Sequence, residues 1–127
     1  MNNIDLSIII PVYNVENYLR RGLDSILLQP SSITYEILLI DDGSSDKSGA
    51  ICDEYQSNFQ NVFVSHIENN GVAEARNLGI SLSKGNYLYF MDPDDFLSDN
   101  FFDKISSNLK QKWDVLCFGY NEIKENR

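Results

Sequence analysis

The sequence predicts an α/β domain: a mostly parallel sheet with helices packed on both of its faces. Three observations carry that prediction. Short runs rich in Ile, Val, Leu and Tyr alternate with segments of helical period, and polar Gly- or Asp-containing clusters punctuate the joins. The first runs are also apolar throughout rather than at every second position, as in strands covered on both faces. At 127 residues the chain suits a single domain, and no repeat, linker or low-complexity tract divides residues 1–127.

Each element follows in order. Leu6–Val12 is the first strand. Val15, Leu19, Leu23 and Leu27, with Tyr18, Gly22 and Ile26 beside them, form one face of a helix. Tyr35–Ile40 is the second strand, and Asp42-Gly43-Ser44-Ser45 supplies a turn and a serine cap for a helix carrying Ile51, Tyr55 and Phe59. Asn61–Ile67 is the third strand. Gly71 opens a helix that turns Val72, Ala75, Gly79 and Leu82 inward, and Gly85 is placed to end it. Tyr87–Met91, a helix marked by Phe102, Ile105 and Leu109, and a fifth strand at Asp114–Phe118 complete the series.

Alternation of this kind implies right-handed crossovers and a parallel sheet, whose ligands bind beyond the carboxyl ends of the strands. The polar loops agree. Pro11-Val12-Tyr13-Asn14, Asp41-Asp42-Gly43-Ser44, Glu68-Asn69-Asn70-Gly71 and Asp92-Pro93-Asp94-Asp95 each follow a strand, whereas the opposite connections, such as Gln29–Thr34, are chemically plain. The site is therefore expected on the first edge.

A net charge of −9 argues against nucleic acid as a partner, which needs a basic footprint. No apolar run is long enough to span a membrane, and no basic leader precedes Ile8-Ile9-Ile10. Cys52 and Cys117 form no Cys-x-x-Cys and read as buried thiols of a reducing cytosol. The sole histidine, His66, closes an apolar run and reads as structural. There is no G-x-G-x-x-G, no P-loop, and no Ser-His-Asp or Cys-His set.

The sharpest chemical signal is Asp92-Pro93-Asp94-Asp95. Two carboxylates about 4 Å apart repel by about 4 kcal/mol at an effective dielectric of about 20. A shared proton or a hard cation relieves that repulsion, and oxygen ligands select magnesium, manganese or calcium. The other account is a solvated acidic turn. An EF-hand is excluded, because Leu97 and Asp103 stand where its Gly and Glu belong. Asp41-Asp42 has two accounts as well, a turn or a hydrogen-bonding partner for a ribose or base. Arg76 suits a phosphate, a base or a surface Glu, and Tyr13 suits a stacked base or the core.

Taken in order, these pieces resemble the N-terminal part of the inverting family-2 glycosyltransferases. They are Ser7-Ile8-Ile9-Ile10-Pro11-Val12-Tyr13-Asn14, Asp41-Asp42-Gly43-Ser44-Ser45-Asp46, Asn70-Gly71-Val72-Ala73 through Arg76-Asn77-Leu78-Gly79, and Phe90-Met91-Asp92-Pro93-Asp94-Asp95. The resemblance implies a Rossmann-like GT-A fold, a nucleotide-sugar donor, usually UDP-linked, and a manganese or magnesium ion. It assigns Pro11, Val12, Tyr13, Asn14, Glu16, Asp41, Arg76 and Asp92 to the donor. Asp94 is assigned to the metal, with Asp92 or Asp95 as further ligands. It also implies transfer with inversion to a glycan or lipid-linked sugar, and a cytoplasmic enzyme, peripheral at the inner membrane face. The general base is expected beyond Arg127, which leaves this chain a donor-binding portion, inactive alone. The rivals are a non-catalytic scaffold with a degenerate site and a receiver-type signalling domain, whose acidic pair would follow the first strand.

Overall fold

In the computed structural model, which describes residues 3–110, four strands alternate with four helices. They are β1 (Leu6–Val12), α1 (Leu19–Leu27), β2 (Tyr35–Asp42), α2 (Ser48–Asn58), β3 (Val62–Ile67), α3 (Val72–Leu82), β4 (Tyr87–Phe90) and α4 (Phe101–Lys110). The sheet order is β3-β2-β1-β4 and every pairing is parallel. The chain works outward from β1 to β3 and then crosses back to β4, so the order reverses between β1 and β4. Such a switch point opens a crevice at the strands' carboxyl ends.

Strand side chains alternate between faces. On one face Ile8, Ile10, Val12, Ile37 and Leu39 join Leu23 and Ile26 of α1, Ile51 and Cys52 of α2, and Phe102 and Ile105 of α4 in one core. A fully buried side chain of this size contributes about 1.5–3 kcal/mol. Burial pushes the Cys52 thiol up to about 12, with the charges of Asp41 and Asp53 adding to it, so Cys52 is an inert, neutral core residue. On the other face α3 lies across β1 and β2 through Ala75 and Gly79, both buried.

Several elements differ from their sequence expectation. Helix α1 begins at Leu19 rather than near Val15, because the Tyr18 and Leu19 amides both close a turn on the Val15 carbonyl. Strand β2 runs on through Asp41 and Asp42, which pair in register with His66 and Ile67. Neither Ser44 nor Ser45 caps α2; Asp46 Oδ1 accepts the Ser48 amide at 2.8 Å instead. Val72 and Leu82 are about half exposed, at 51% and 43%, because the small residues Ala75 and Gly79 alone make the close approach to the sheet. Gly85 does not terminate α3, whose C-cap is Ser83. It lies against β1, where a Cβ would stand 2.5 Å from the Ser7 nitrogen. The expected strand Asp114–Phe118, and Cys117 within it, lie outside the described residues.

Candidate donor site

A cleft of about 270 Å³ opens at the switch point. Pro11, Val12 and Tyr13 bring the end of β1 to it, Asp42 the end of β2, and Asp92 and Pro93 the turn after β4. Asn69, Gly71 and Val72, at the start of α3, close the remaining wall. Tyr13 is 47% exposed, with its ring free to meet a planar ligand. A second groove, between α3 and β3, is lined by Leu38, Ile40, Phe63 and Leu82 together with Glu36, Ser65 and Lys84, away from the loops at the strands' carboxyl ends.

The alternation of β2 separates its two terminal aspartates. Asp42 faces α3, accepting the Asn70 and Gly71 amides at 2.8 and 3.0 Å, and it lines the cleft. Gly71 meets this anchor with φ +97°, in the region that favours glycine. Asp41 faces α2 instead. Its Oδ1 accepts the Ser44 amide at 3.1 Å, its Oδ2 lies 2.7 Å from His66 Nδ1, and it is not among the cleft-lining residues.

His66 is not an apolar core residue, although it closes the apolar run of β3. Its ring spans two carboxylates, Asp41 Oδ2 at Nδ1 and Asp53 Oδ1 at Nε2, each at 2.7 Å. Both oxygens only accept, so the fully bonded ring is the imidazolium. The hydrogen bond to Asp41, then that to Asp53, raises its pKa above the usual 6.5. A raised folded pKa gives stability that is complete below the unfolded value and lost as pH rises through the folded one. Unfolding with denaturant from about pH 6 to about pH 9 is expected to show the advantage of the parent over His66→Gln shrinking across that window. A constant gap would refute this account.

Asn14 and Glu16 belong to the loop after β1 and do not line the cleft. Asn14 takes φ +50°, which Asn tolerates better than most residues. Its Oδ1 accepts the Ser45 and Asp46 amides at 2.8 and 3.3 Å, and its own amide donates to Ser44 Oγ. The Glu16 amide donates to Asp46 Oδ2. These contacts tie the loop after β1 to the loop after β2.

The acidic turn is held by the Asp95 amide, which donates to the Asp92 carbonyl at 3.0 Å. Asp92 projects to the cleft with its side chain 61% exposed, and Arg76 Nη2 lies 3.4 Å from its Oδ1. Both groups are open to water, so the pair itself contributes little. Arg76 Nε, by contrast, is enclosed and has no hydrogen-bond partner. Asp94 is half-buried and Asp95 exposed, and neither lines the cleft. Among the described residues no three His, Cys, Asp or Glu side chains gather as a ready-made metal cage.

The structure thus brings Pro11, Val12, Tyr13 and Asp92 together, with Arg76 at the rim. Asn14, Glu16 and Asp41 are not among the lining residues, while Asp42, Asn69, Gly71, Val72 and Pro93 are. Strand alternation, carried two residues further along β2, is the signal that separates Asp42 from Asp41.

Residues 7–127 match the family model described as Glycosyl transferase family 2. The chain is 36% identical over 123 residues to the uncharacterized glycosyltransferase EpsJ of Bacillus subtilis, covering 96% of this chain and 36% of that protein. Among solved structures it is similar to S. aureus TarS 1-349 in complex with UDP, with a TM-score of 0.76 and 28% identity over 85% of this chain and 32% of that one. It is also similar in fold to the mannosyltransferase PcManGT from Pyrobaculum calidifontis in complex with GDP-Man and Mn2+. There the TM-score is 0.67 at 21% identity, over 75% of this chain and 29% of that one. The chain therefore spans only about a third of these relatives, and its architecture is the expected GT-A one.

Proposed function

Because this chain belongs to glycosyl transferase family 2, we propose that its cleft holds the nucleotide of a UDP-linked sugar donor for an inverting, metal-assisted transfer in polysaccharide assembly. The observation that carries this reading is the convergence of Tyr13, Asp42 and Asp92 on one cleft at the switch point, with Arg76 beside it. Tyr13 offers a ring face to the base, and carboxylates at the strand ends accept from base or ribose. Arg76, whose partly exposed guanidinium lies beside Asp92, offers N–H groups to a phosphate oxygen.

The donor set fits manganese or magnesium. Such ions take one or two carboxylates and complete their shell with water and substrate phosphates, so a turn offering Asp94, with Asp92 or Asp95 beside it, suffices without a protein cage. When bound, the ion would supply Lewis acidity toward the departing diphosphate. The acceptor hydroxyl, on a glycan or lipid-linked sugar, attacks the anomeric carbon from the opposite face and gives its proton to a base. In this reading the base lies beyond Arg127, and the chain alone binds donor without transferring sugar. No described helix is long and apolar enough to cross a membrane, which is compatible with a cytoplasmic enzyme working at the inner membrane face.

Titrating UDP with manganese, and again with chelator, tests this directly. Metal-dependent binding is expected, and Asp94→Asn is expected to weaken it by about tenfold or more, about 1.4 kcal/mol. Binding that ignores both metal and Asp94→Asn would favour a non-catalytic scaffold and sink the proposal.

A further inference from the structure

We propose that Arg21 is a positioning residue for the acidic turn, the lead member of a polar row on α1 that sets where the carboxylates of Asp92 and Asp94 stand. The inference rests on the donor reading above, and it assigns a role to residues outside the cleft.

The segment between β4 and α4 has no sheet ladder and no helix of its own. Its backbone groups need partners from elsewhere, and α1 provides them at a spacing of four. Arg21 Nη2 donates to the Asp94 carbonyl at 3.1 Å. Ser25 Oγ accepts the Leu97 amide at 2.8 Å while donating to the Gly22 carbonyl at 2.6 Å. Gln29, just past the helix end, donates to the Ser98 carbonyl at 2.9 Å and accepts the Phe102 amide at 3.3 Å. Residues 21 and 25 fall on one helical stripe, and Gln29 follows directly after the helix, so α1 and the residue beyond its C-cap together read the backbone from Asp94 to Phe102.

Arg21 is the member aimed at the chemistry. Its guanidinium lies 4.6 Å from the Phe96 ring centroid, and that stacking keeps the planar group in place as it donates. The neighbouring Gly22 brings the helix close, since a Cβ there would stand 2.6 Å from the Asp95 carbonyl oxygen. Helix α1 thus holds the turn at Asp94 and Asp95 through side chain and backbone together. A loose turn would leave the carboxylates free to separate under their mutual repulsion. A held turn presents them already arranged, which lowers the ordering cost of binding a cation and diphosphate.

The test compares the parent chain with Arg21→Met and Ser25→Ala by two measurements. Hydrogen exchange at the Asp95 and Leu97 amides is expected to rise by about tenfold in either variant, with exchange at the Ile9 amide unchanged. UDP affinity in manganese is expected to fall by about tenfold, while any residual UDP binding in chelator stays at the parent level. Arg21→Lys, which keeps the charge but loses the planar stack, is expected to fall between parent and Arg21→Met. Unchanged exchange at Asp95 and Leu97 would overturn the proposal, and so would faster exchange with full manganese-dependent affinity. If the parent itself bound no UDP, the donor reading would fail, and the exchange comparison would still decide whether α1 holds the turn.

Discussion

Replacing Asp42 with alanine is expected to damage the fold and the cleft together. Asp42 is 4% exposed, and its carboxylate accepts two backbone amides, those of Asn70 and Gly71, at 2.8 and 3.0 Å. Bonds from amides to a charged acceptor are stronger than neutral ones, and an enclosed donor left without a partner costs about 1–3 kcal/mol. These two amides are only partly enclosed, so a total near the middle of that range, about 2 kcal/mol, is expected. It should show as a lower urea midpoint at unchanged slope. Asp42→Asn is not a rescue, because its amide offers one oxygen where two donors converge, and its NH2 group meets the second donor head-on. UDP affinity is expected to fall by at least about tenfold in both variants, since Asp42 lines the cleft and anchors Asn70 and Gly71 beside it. The paired control is Asp41→Asn, whose side chain faces α2. Its loss should lower stability through His66 and Ser44 and alter UDP affinity less. Equal losses of UDP affinity from the two aspartates would contradict the division of roles along β2.

That division shows what the amino-acid pattern makes legible and where it stops. The buried runs Leu6–Val12 and Tyr35–Ile40 announce their strands because both faces of the sheet are covered. The sheet's polarity follows from alternation with helices, and with it the edge that carries the cleft. Asp92 and Tyr13 fall on that cleft as expected from their loops. Asp41 and Asp42 do not separate so easily, because consecutive aspartates before a glycine carry a strong turn signal. In the structure ladder pairing with β3 overrides that signal and keeps both residues in the strand. Once they are in the strand, period two decides which carboxylate sees which face. Tertiary contacts decide the other differences. Asn14 and Ser44 spend their polar atoms on each other's loops, and Gly85 answers a close approach to Ser7 rather than the end of a helix. A contact between residues 14 and 44, or 85 and 7, has no trace in local periodicity. The acidic turn belongs to the same class. Its residue types state the chemistry, while its placement depends on a helix 73 residues earlier in the chain, where Arg21 meets Asp94.

Gly79→Ala is the second substitution from which a large effect is expected, and elementary propensity predicts the wrong sign for it. In a helix interior alanine is favoured over glycine by about 1 kcal/mol. Here the added Cβ would stand 2.4 Å from Ile9 Cγ2, on a side chain that is 0% exposed and cannot withdraw into solvent. Overpacking of this kind costs about 1–3 kcal/mol, and a contact this short belongs at the upper end. The net expectation is a loss of about 1–2 kcal/mol. The functional effect follows from what α3 carries. Its first residues line the cleft and Arg76 projects from its middle, so a helix pushed away from β1 moves one wall of the cleft against the fixed ends of the strands. UDP affinity is therefore expected to fall although the substituted residue touches no ligand. Ile9→Leu removes the Cγ2 methyl while conserving volume, so Gly79→Ala with Ile9→Leu should be more stable than the two single losses predict. A coupling of about 1 kcal/mol or more is expected from the double-mutant cycle, with UDP affinity recovering in parallel. Strict additivity would mean that α3 is not seated by the Gly79–Ile9 contact. Recovery of stability without recovery of affinity would mean that the cleft does not depend on where α3 sits.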